Sequence, residues 1–177
     1  MKNKICGRAL ALCATVVLSA LTAQADEALK AESQEVLGNF TKMDSTLKAF
    51  LDQSAGYAIF PNVGKGGLIV GGARGKGLVY EKAKIIGQAT MTQASIGAQA
   101  GGQTFSELIV FETPDALNDF RAGKFEMSAE VSAVAAAEGA SKAAKYKNGV
   151  AVFTLPKKGL MVQASIGGQK FKFEPWQ

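Results

Sequence analysis

The chain has 177 residues, 47% of them apolar, with 20 basic and 15 acidic side chains, no histidine, and cysteine only at Cys6 and Cys13. That composition excludes Ser-His-Asp catalysis and histidine-based metal sites, and beyond residue 13 it leaves no thiolate for zinc or iron–sulfur ligation. Length and apolar content suit one domain able to bury about two thirds of its unfolded surface.

Residues 1–25 read as a secretory signal. Lys2, Lys4 and Arg8 form a positive start, residues 9–22 are apolar but too short to span a bilayer as a stable helix, and Ala23-Gln24-Ala25 is an A-x-A cleavage site. Cleavage between Ala25 and Asp26 is predicted, giving an exported protein, periplasmic or secreted. A lipoprotein reading of Cys13 is opposed by Leu12, where a small residue is needed. Both cysteines leave with the signal, so residues 26–177 form a single disulfide-free domain with 17 basic and 15 acidic side chains. Export also argues against nucleic acid as a partner.

Residues 26–40 have Leu29, Val36 and Phe40 on one stripe at helical spacing. Thr41 with Asp44 resembles a capping box opening a second helix, whose apolar face is Met43, Leu47, Phe50 and Leu51 and whose stop is Gly56. From Tyr57 to Phe111 the chain reads as strands. Paired glycines at Gly66-Gly67, Gly71-Gly72 and Gly101-Gly102 mark bends, bulges or close backbone approach, and so a strongly curved sheet. Thr113-Pro114-Asp115 opens a short helix with Leu117 and Phe120 inward, ended by Gly123. Residues 125–135 alternate, with Phe125, Met127, Ala129, Val131, Ala133 and Ala135 on one face and Glu126, Ser128, Glu130 and Ser132 on the other, which predicts a strand. The small alanines leave room there for a close neighbour or an acyl chain. Residues 136–148 are a short helical or irregular connection, and 170–173 (KFKF) a closing strand. The expected fold is α+β: a curved, Gly-rich, mostly antiparallel and partly barrel-like sheet, with N-terminal helices and one short helix after residue 113.

A repeat is the most distinctive feature. Residues 56–77 read GYAIFPNVGKGGLIVGGARGKG and residues 149–162 read GVAVFTLPKKGLMV. Both copies place Ala and Phe two and four residues after Gly (Ala58, Phe60; Ala151, Phe153), then Lys-Gly, then Gly-Leu-x-Val. A second echo, QASIG, occurs at 93–97 and 163–167. A recurring strand–turn–strand unit is the simplest reading. These segments, with QASIGAQAGGQTFSELIVF at 93–111, resemble the SYLF domain, over roughly residues 30–174. The resemblance implies lipid binding, with phosphoinositide and actin binding described for eukaryotic members. Those members are expected to carry a basic amphipathic N-terminal helix, whereas the matching stretch here holds Asp26, Glu27, Glu32 and Glu35 against Lys30.

From Gly139 to Phe173 there is no Asp or Glu, while Lys142, Lys145, Lys147, Lys157, Lys158, Lys170 and Lys172 fall in that stretch. Such a block attracts anionic head groups. The candidate site is therefore Lys157, Lys158, Lys170 and Lys172 for phosphates, with Phe50, Leu51, Phe60 and Phe153 for acyl carbons. Phospholipid or a membrane surface is the expected partner; no cofactor, metal or catalytic residue is expected. The alternative is a structural or protein-interaction role in the envelope, through oligomerisation or sheet-edge pairing. Two motifs carry faint catalytic signals: Ser45 and Lys48 at S-x-x-K spacing, and Glu126 with Glu130 on one strand face. The glycine runs match neither phosphate-loop nor dinucleotide fingerprints, since Lys65 and Lys76 are each followed by Gly.

Overall fold

A computed structural model describes residues 6–66, 70–96, 103–125, 127, 131–158 and 168–176. The elements run α1 (Cys6–Met43), α2 (Leu47–Asp52), β1 (Gly56–Gly66), β2 (Val70–Glu81), β3 (Lys84–Ile96), β4 (Gln103–Phe111), α3 (Pro114–Arg121), β5 (Ala133–Ala135), α4 (Ala140–Ala143), β6 (Val150–Lys158) and β7 (Gln169–Pro175). The architecture is α+β. Among the described residues seven strands form one sheet in the order β5-β6-β4-β1-β2-β3-β7, antiparallel except for the β5–β6 pair. Strand pairing among the described residues does not close the sheet. Its two edges are linked instead through the segment before β5: the Met127 N–H donates to the Gln169 carbonyl (3.2 Å), and the Gly168 N–H donates to the Met127 carbonyl (2.9 Å).

Alternation along the strands divides the apolar residues between two cores. The inner core, on the concave side, contains Ala58, Phe60, Val63, Val79, Met91, Phe105, Ile109, Phe111, Val152 and Phe171, with Leu117 and Phe120 of α3 packed into it. The outer core contains Tyr57, Ile59, Leu78, Tyr80, Leu108, Val110 and Phe153, covered by Val36 and Phe40 of α1 and Leu47 of α2.

Local chemistry explains the irregular points. Pro61 lacks an N–H, and it sits in a β-bulge where the registers of β1 with both β2 and β4 shift. The Ser106 hydroxyl satisfies its carbonyl at 2.8 Å. Across from the bulge, a Cβ on Gly77 would run into the Ile59 carbonyl and the Phe60 ring, so this glycine permits the close approach. Thr113 caps α3 by accepting from the Ala116 N–H, Pro114 follows at the first turn, and Gly123 ends the helix at φ 67°.

Two sequence expectations are corrected. Helix α1 runs unbroken through Thr41, whose hydroxyl donates back to the carbonyls of Leu37 (3.1 Å) and Gly38 (3.0 Å) rather than capping a new helix. Met43 is exposed. Of the described residues in the alternating run 125–135, only Ala133–Ala135 pair as a strand; Met127 and Val131 do face the inner core, while Glu126 and 128–130 lie outside the described residues. The second repeat copy is described only as far as Lys158, and its return arm lies outside the described residues. Strand β6 is held between β4 and β5, and β7 takes the free edge of β3 at the far side of the sheet. The two Gly-x-Ala-x-Phe copies flank β4 on either side, in β1 and β6. Their registers differ by one residue, so Ala58 and Phe60 face the inner core while Ala151 and Phe153 face the outer one.

Candidate functional site

The outer face of the sheet changes character midway along its strands. Toward the β2–β3 turn it is apolar and covered by helices. Toward the opposite end, the same alternation of β2 presents Arg74 and Lys76 where Leu78 and Tyr80 would be buried, and both cations are exposed. On β7, Phe171 faces inward and Lys170 and Lys172 outward, also exposed.

Register turns these residues into two rows. Arg74 lies opposite Thr92, which lies opposite Lys170; Lys76 lies opposite Thr90, which lies opposite Lys172. By strand spacing, the cations of a row stand about 10 Å apart and the rows about 7 Å apart. The second row extends across β1 through Asn62, opposite Lys76, whose side-chain oxygen accepts from the Lys157 ammonium at 2.9 Å.

Nearby acids are few. Glu174 pairs with Lys172 at 2.8 Å. The hydrogen bond and charge of Glu174 raise the Lys172 pKa, and the same bond and charge from Lys172, helped by Lys76, lower that of Glu174. Two α1 carboxylates border the patch through neutral partners: Glu32 accepts from the Asn62 amide (2.6 Å) and Asp26 from the Gln88 amide (2.5 Å). Like charges gathered on one sheet face destabilise it slightly unless an anion meets them.

The predicted site residues are thus only partly brought together. Lys157, Lys170 and Lys172 join one face, whereas Lys158 ends β6 opposite Thr104 and its side chain lies outside those described. Lys142, Lys145 and Lys147 lie apart, around α4 and the β5–β6 edge. Phe60 and Phe153 are buried in the inner and outer cores and present nothing to a lipid surface. Phe50 stacks on Tyr146 (5.1 Å between centroids) and packs edge-on against Phe153 (5.7 Å). Leu51 lines a groove of about 610 Å³ with Leu37, Tyr57 and Lys82, at the opposite end of the outer face from the cations. Sequence reading overlooked Arg74 and Lys76 because it weighed runs of lysine in the chain. Their signal was the period-two step from Tyr80 and Leu78 to Lys76 and Arg74.

The remaining candidates have structural partners. Ser45 donates to Glu138 (2.6 Å) and Lys48 pairs with Asp52 (2.8 Å), so they do not form a serine–lysine dyad. Glu130 lies outside the described residues. Asp44 is a buried buckle. Its carboxylate accepts from the Thr46 N–H (3.0 Å) and hydroxyl (2.6 Å), from the Gly139 N–H (3.2 Å) and from the Ser141 N–H (2.6 Å). Burial alone would raise its pKa, but the bonds from Ser141 and Thr46 outweigh it and hold the carboxyl down at about 2. Among the described residues no cluster of three or more His, Cys, Asp or Glu could hold a metal ion, and no helix is long and apolar enough to cross a membrane.

Two comparisons with known proteins bear on the family of this chain. Residues 92–175 match the Ysc84 family model, described as "Las17-binding protein actin regulator". The chain belongs to the SYLF family. It is also 32% identical over 127 residues to "Beta cell expansion factor A" of Aeromonas veronii, an alignment covering 70% of this chain and 48% of that protein. The chain therefore spans about half the length of this curated relative. The family match runs from Thr92 through β7 and so contains Lys157, Lys170 and Lys172, while Arg74 and Lys76 lie before it.

Proposed function

We propose that this SYLF protein is an exported, non-catalytic binding module that docks on anionic phospholipid surfaces through the outer face of β2, β3 and β7. The observation that carries this reading is the pair of in-register rows, Arg74–Thr92–Lys170 and Lys76–Thr90–Lys172. Four exposed cations with hydroxyls between them suit phosphate groups spread over a surface. Each cation held near an anionic leaflet contributes on the order of 1 kcal/mol, so together they supply up to about 4 kcal/mol, roughly a thousandfold in binding. The buried positions of Phe60 and Phe153 fit peripheral attachment by charge better than insertion. Export follows from the N-terminal signal, and docking would take place on the outer side of the membrane the chain crosses.

Co-sedimentation with vesicles of phosphatidylglycerol and phosphatidylcholine tests this. Binding should rise with phosphatidylglycerol content, weaken steeply with salt, and collapse when Arg74, Lys76, Lys170 and Lys172 are all changed to Gln. Equal binding to pure phosphatidylcholine, or no loss in that variant, would rule the reading out. A second reading, partnership with protein, is favoured by the outer edge of β7: from Phe171 to Pro175 it pairs with no further strand among the described residues. The family model's description also names a protein partner. Light scattering across a concentration series distinguishes self-association from the monomer.

A further inference from the structure

The inner core holds one ionisable side chain among its described residues. Glu107 lies on β4 between Phe105 and Ile109, opposite Phe60 on β1 and Thr154 on β6, and is fully buried. Its bonded partner is Gln169, the first residue of β7, whose amide nitrogen donates to Oε2 at 3.0 Å. Strands β4 and β7 are not neighbours; β1, β2 and β3 stand between them in the sheet. The bond therefore crosses the interior. It ends at the residue whose carbonyl accepts from the Met127 N–H, where the two edges of the sheet are linked.

Two buried atoms of this same pair lack a partner, Oε1 of Glu107 and Oε1 of Gln169. Both are acceptors while the carboxyl is ionised, so no rotation of either group can satisfy them together. One proton on Oε1 of Glu107 supplies the missing donor. A carboxylic acid and a primary amide then form a two-bond ring, amide N–H to carboxyl oxygen and carboxyl O–H to amide oxygen. Among the described residues no countercharge competes for this role. The inward residues around the pair are Phe60 and Val63 of β1, Met91 and Gln93 of β3, Val152 and Thr154 of β6, Phe171 of β7, and Met127. None is charged, and Lys170 and Lys172 point to the opposite face. Burial pushes the Glu107 carboxyl up to about 7, with the Gln169 bond acting the other way.

We propose that Glu107 and Gln169 form a proton-dependent clasp that holds the edge strand β7 against the rest of the sheet. With the proton present, both bonds form and the Met127–Gln169 link stays closed. Loss of the proton leaves a buried carboxylate facing an amide oxygen, and the clasp gives way at β7. Because β7 carries Lys170 and Lys172, the clasp also couples pH to the geometry of the cationic face. The sign is that of a carboxyl with a raised pKa. The contribution is complete below the unfolded value of 4.5 and is lost as pH rises through about 7.

The test is hydrogen exchange of the intact protein at pH 5 and pH 8, with rates expressed as protection relative to the unstructured chain at each pH. At pH 8 the Met127 and Gly168 amides should lose about tenfold or more of their protection, while the Ile109 and Val110 amides of β4 keep theirs. Glu107→Gln replaces the acid by an amide that makes the same two bonds at any pH, so in it the difference between the two pH values should vanish. Equal protection of Met127 and Gly168 at both pH values, a uniform loss over all strands, or an unchanged pH effect in E107Q would overturn the clasp. Should E107Q fail to fold, the ¹³C carboxyl shift of Glu107 in the native protein decides instead. A midpoint near 7 supports the clasp, and a side chain already ionised at pH 5 overturns it. None of these readouts depends on lipid binding.

Discussion

The two halves of the outer face meet on strand β2 and follow its alternation, yet they have opposite chemistry. One half carries Tyr57, Ile59, Leu78, Tyr80 and Leu108 and lies under α1 and α2. The other carries Arg74, Lys76, Lys170 and Lys172 and lies open. On β2 the change takes place between Leu78 and Lys76, a single step of the pleat. An apolar face must be covered, and this chain supplies the cover from its own N-terminal helices. A cationic face is stable in water and is most useful when something anionic comes to it. The boundary thus separates surface that the fold covers from surface that stays exposed.

That contrast makes stability and binding separable. In the covered half, Leu108→Ala should cost about 2–5 kcal/mol in urea unfolding, because the residue is fully buried and its site cannot collapse freely. In the open half, Lys76→Gln should change stability by no more than about 0.5 kcal/mol. If both cost the same, the division fails.

Asp44 secures the cover by tying the α1–α2 corner to the turn before α4, so Asp44→Ala should destabilise by about 2 kcal/mol at neutral pH. Its folded pKa is depressed, from 3.8 to about 2, so this stability is present above 3.8 and is lost as pH falls through about 2. The variant and the parent should therefore converge in acid, which urea midpoints at pH 7, 4 and 2.5 would show.

In the open half, Lys76→Gln and Arg74→Gln should each weaken binding to phosphatidylglycerol vesicles about fivefold at low salt. Near 0.5 M salt the differences should disappear. Unequal losses would show which row meets the surface. The smallest effect is expected at the tip of the β2–β3 hairpin. There Lys82 and Ala83 hold positive φ values of 46° and 63° without being glycine. Ala83→Gly should raise the thermal midpoint slightly, by about 0.5 kcal/mol of stability, and leave vesicle binding unchanged.

Much of the fold was legible in local pattern. Thr113, Pro114 and Gly123 mark both ends of α3 because capping and turn chemistry act within a few residues. The alternation of 170–173 foretold β7 for the same reason. The capping box at Thr41 misled because its spacing also fits a threonine inside a helix, where the hydroxyl bonds back to the preceding turn. The run at 125–135 misled because alternation reports which side chains are inward and says nothing about which backbone will pair. As for the site, the lysines of β7 and Lys157 stood out as a charge run, while Arg74 and Lys76 did not. They become neighbours of that run only through β3.

The sequence by itself determined an α+β chain with a Gly-rich curved sheet, both ends of α3, its SYLF resemblance, and the absence of histidine chemistry. These depend on residue type and on spacings of a few positions. Tertiary structure decided the rest. It placed the two repeat copies on either side of β4 with a one-residue offset, so Phe60 and Phe153 entered different cores. It aligned Arg74 with Lys170 and Lys76 with Lys172 across β3, and it set Glu107 against Gln169 across the interior. The physical reason is common to all three. Strand order and register are settled by burying whole faces at once, and no stretch of chain shorter than the sheet contains that information.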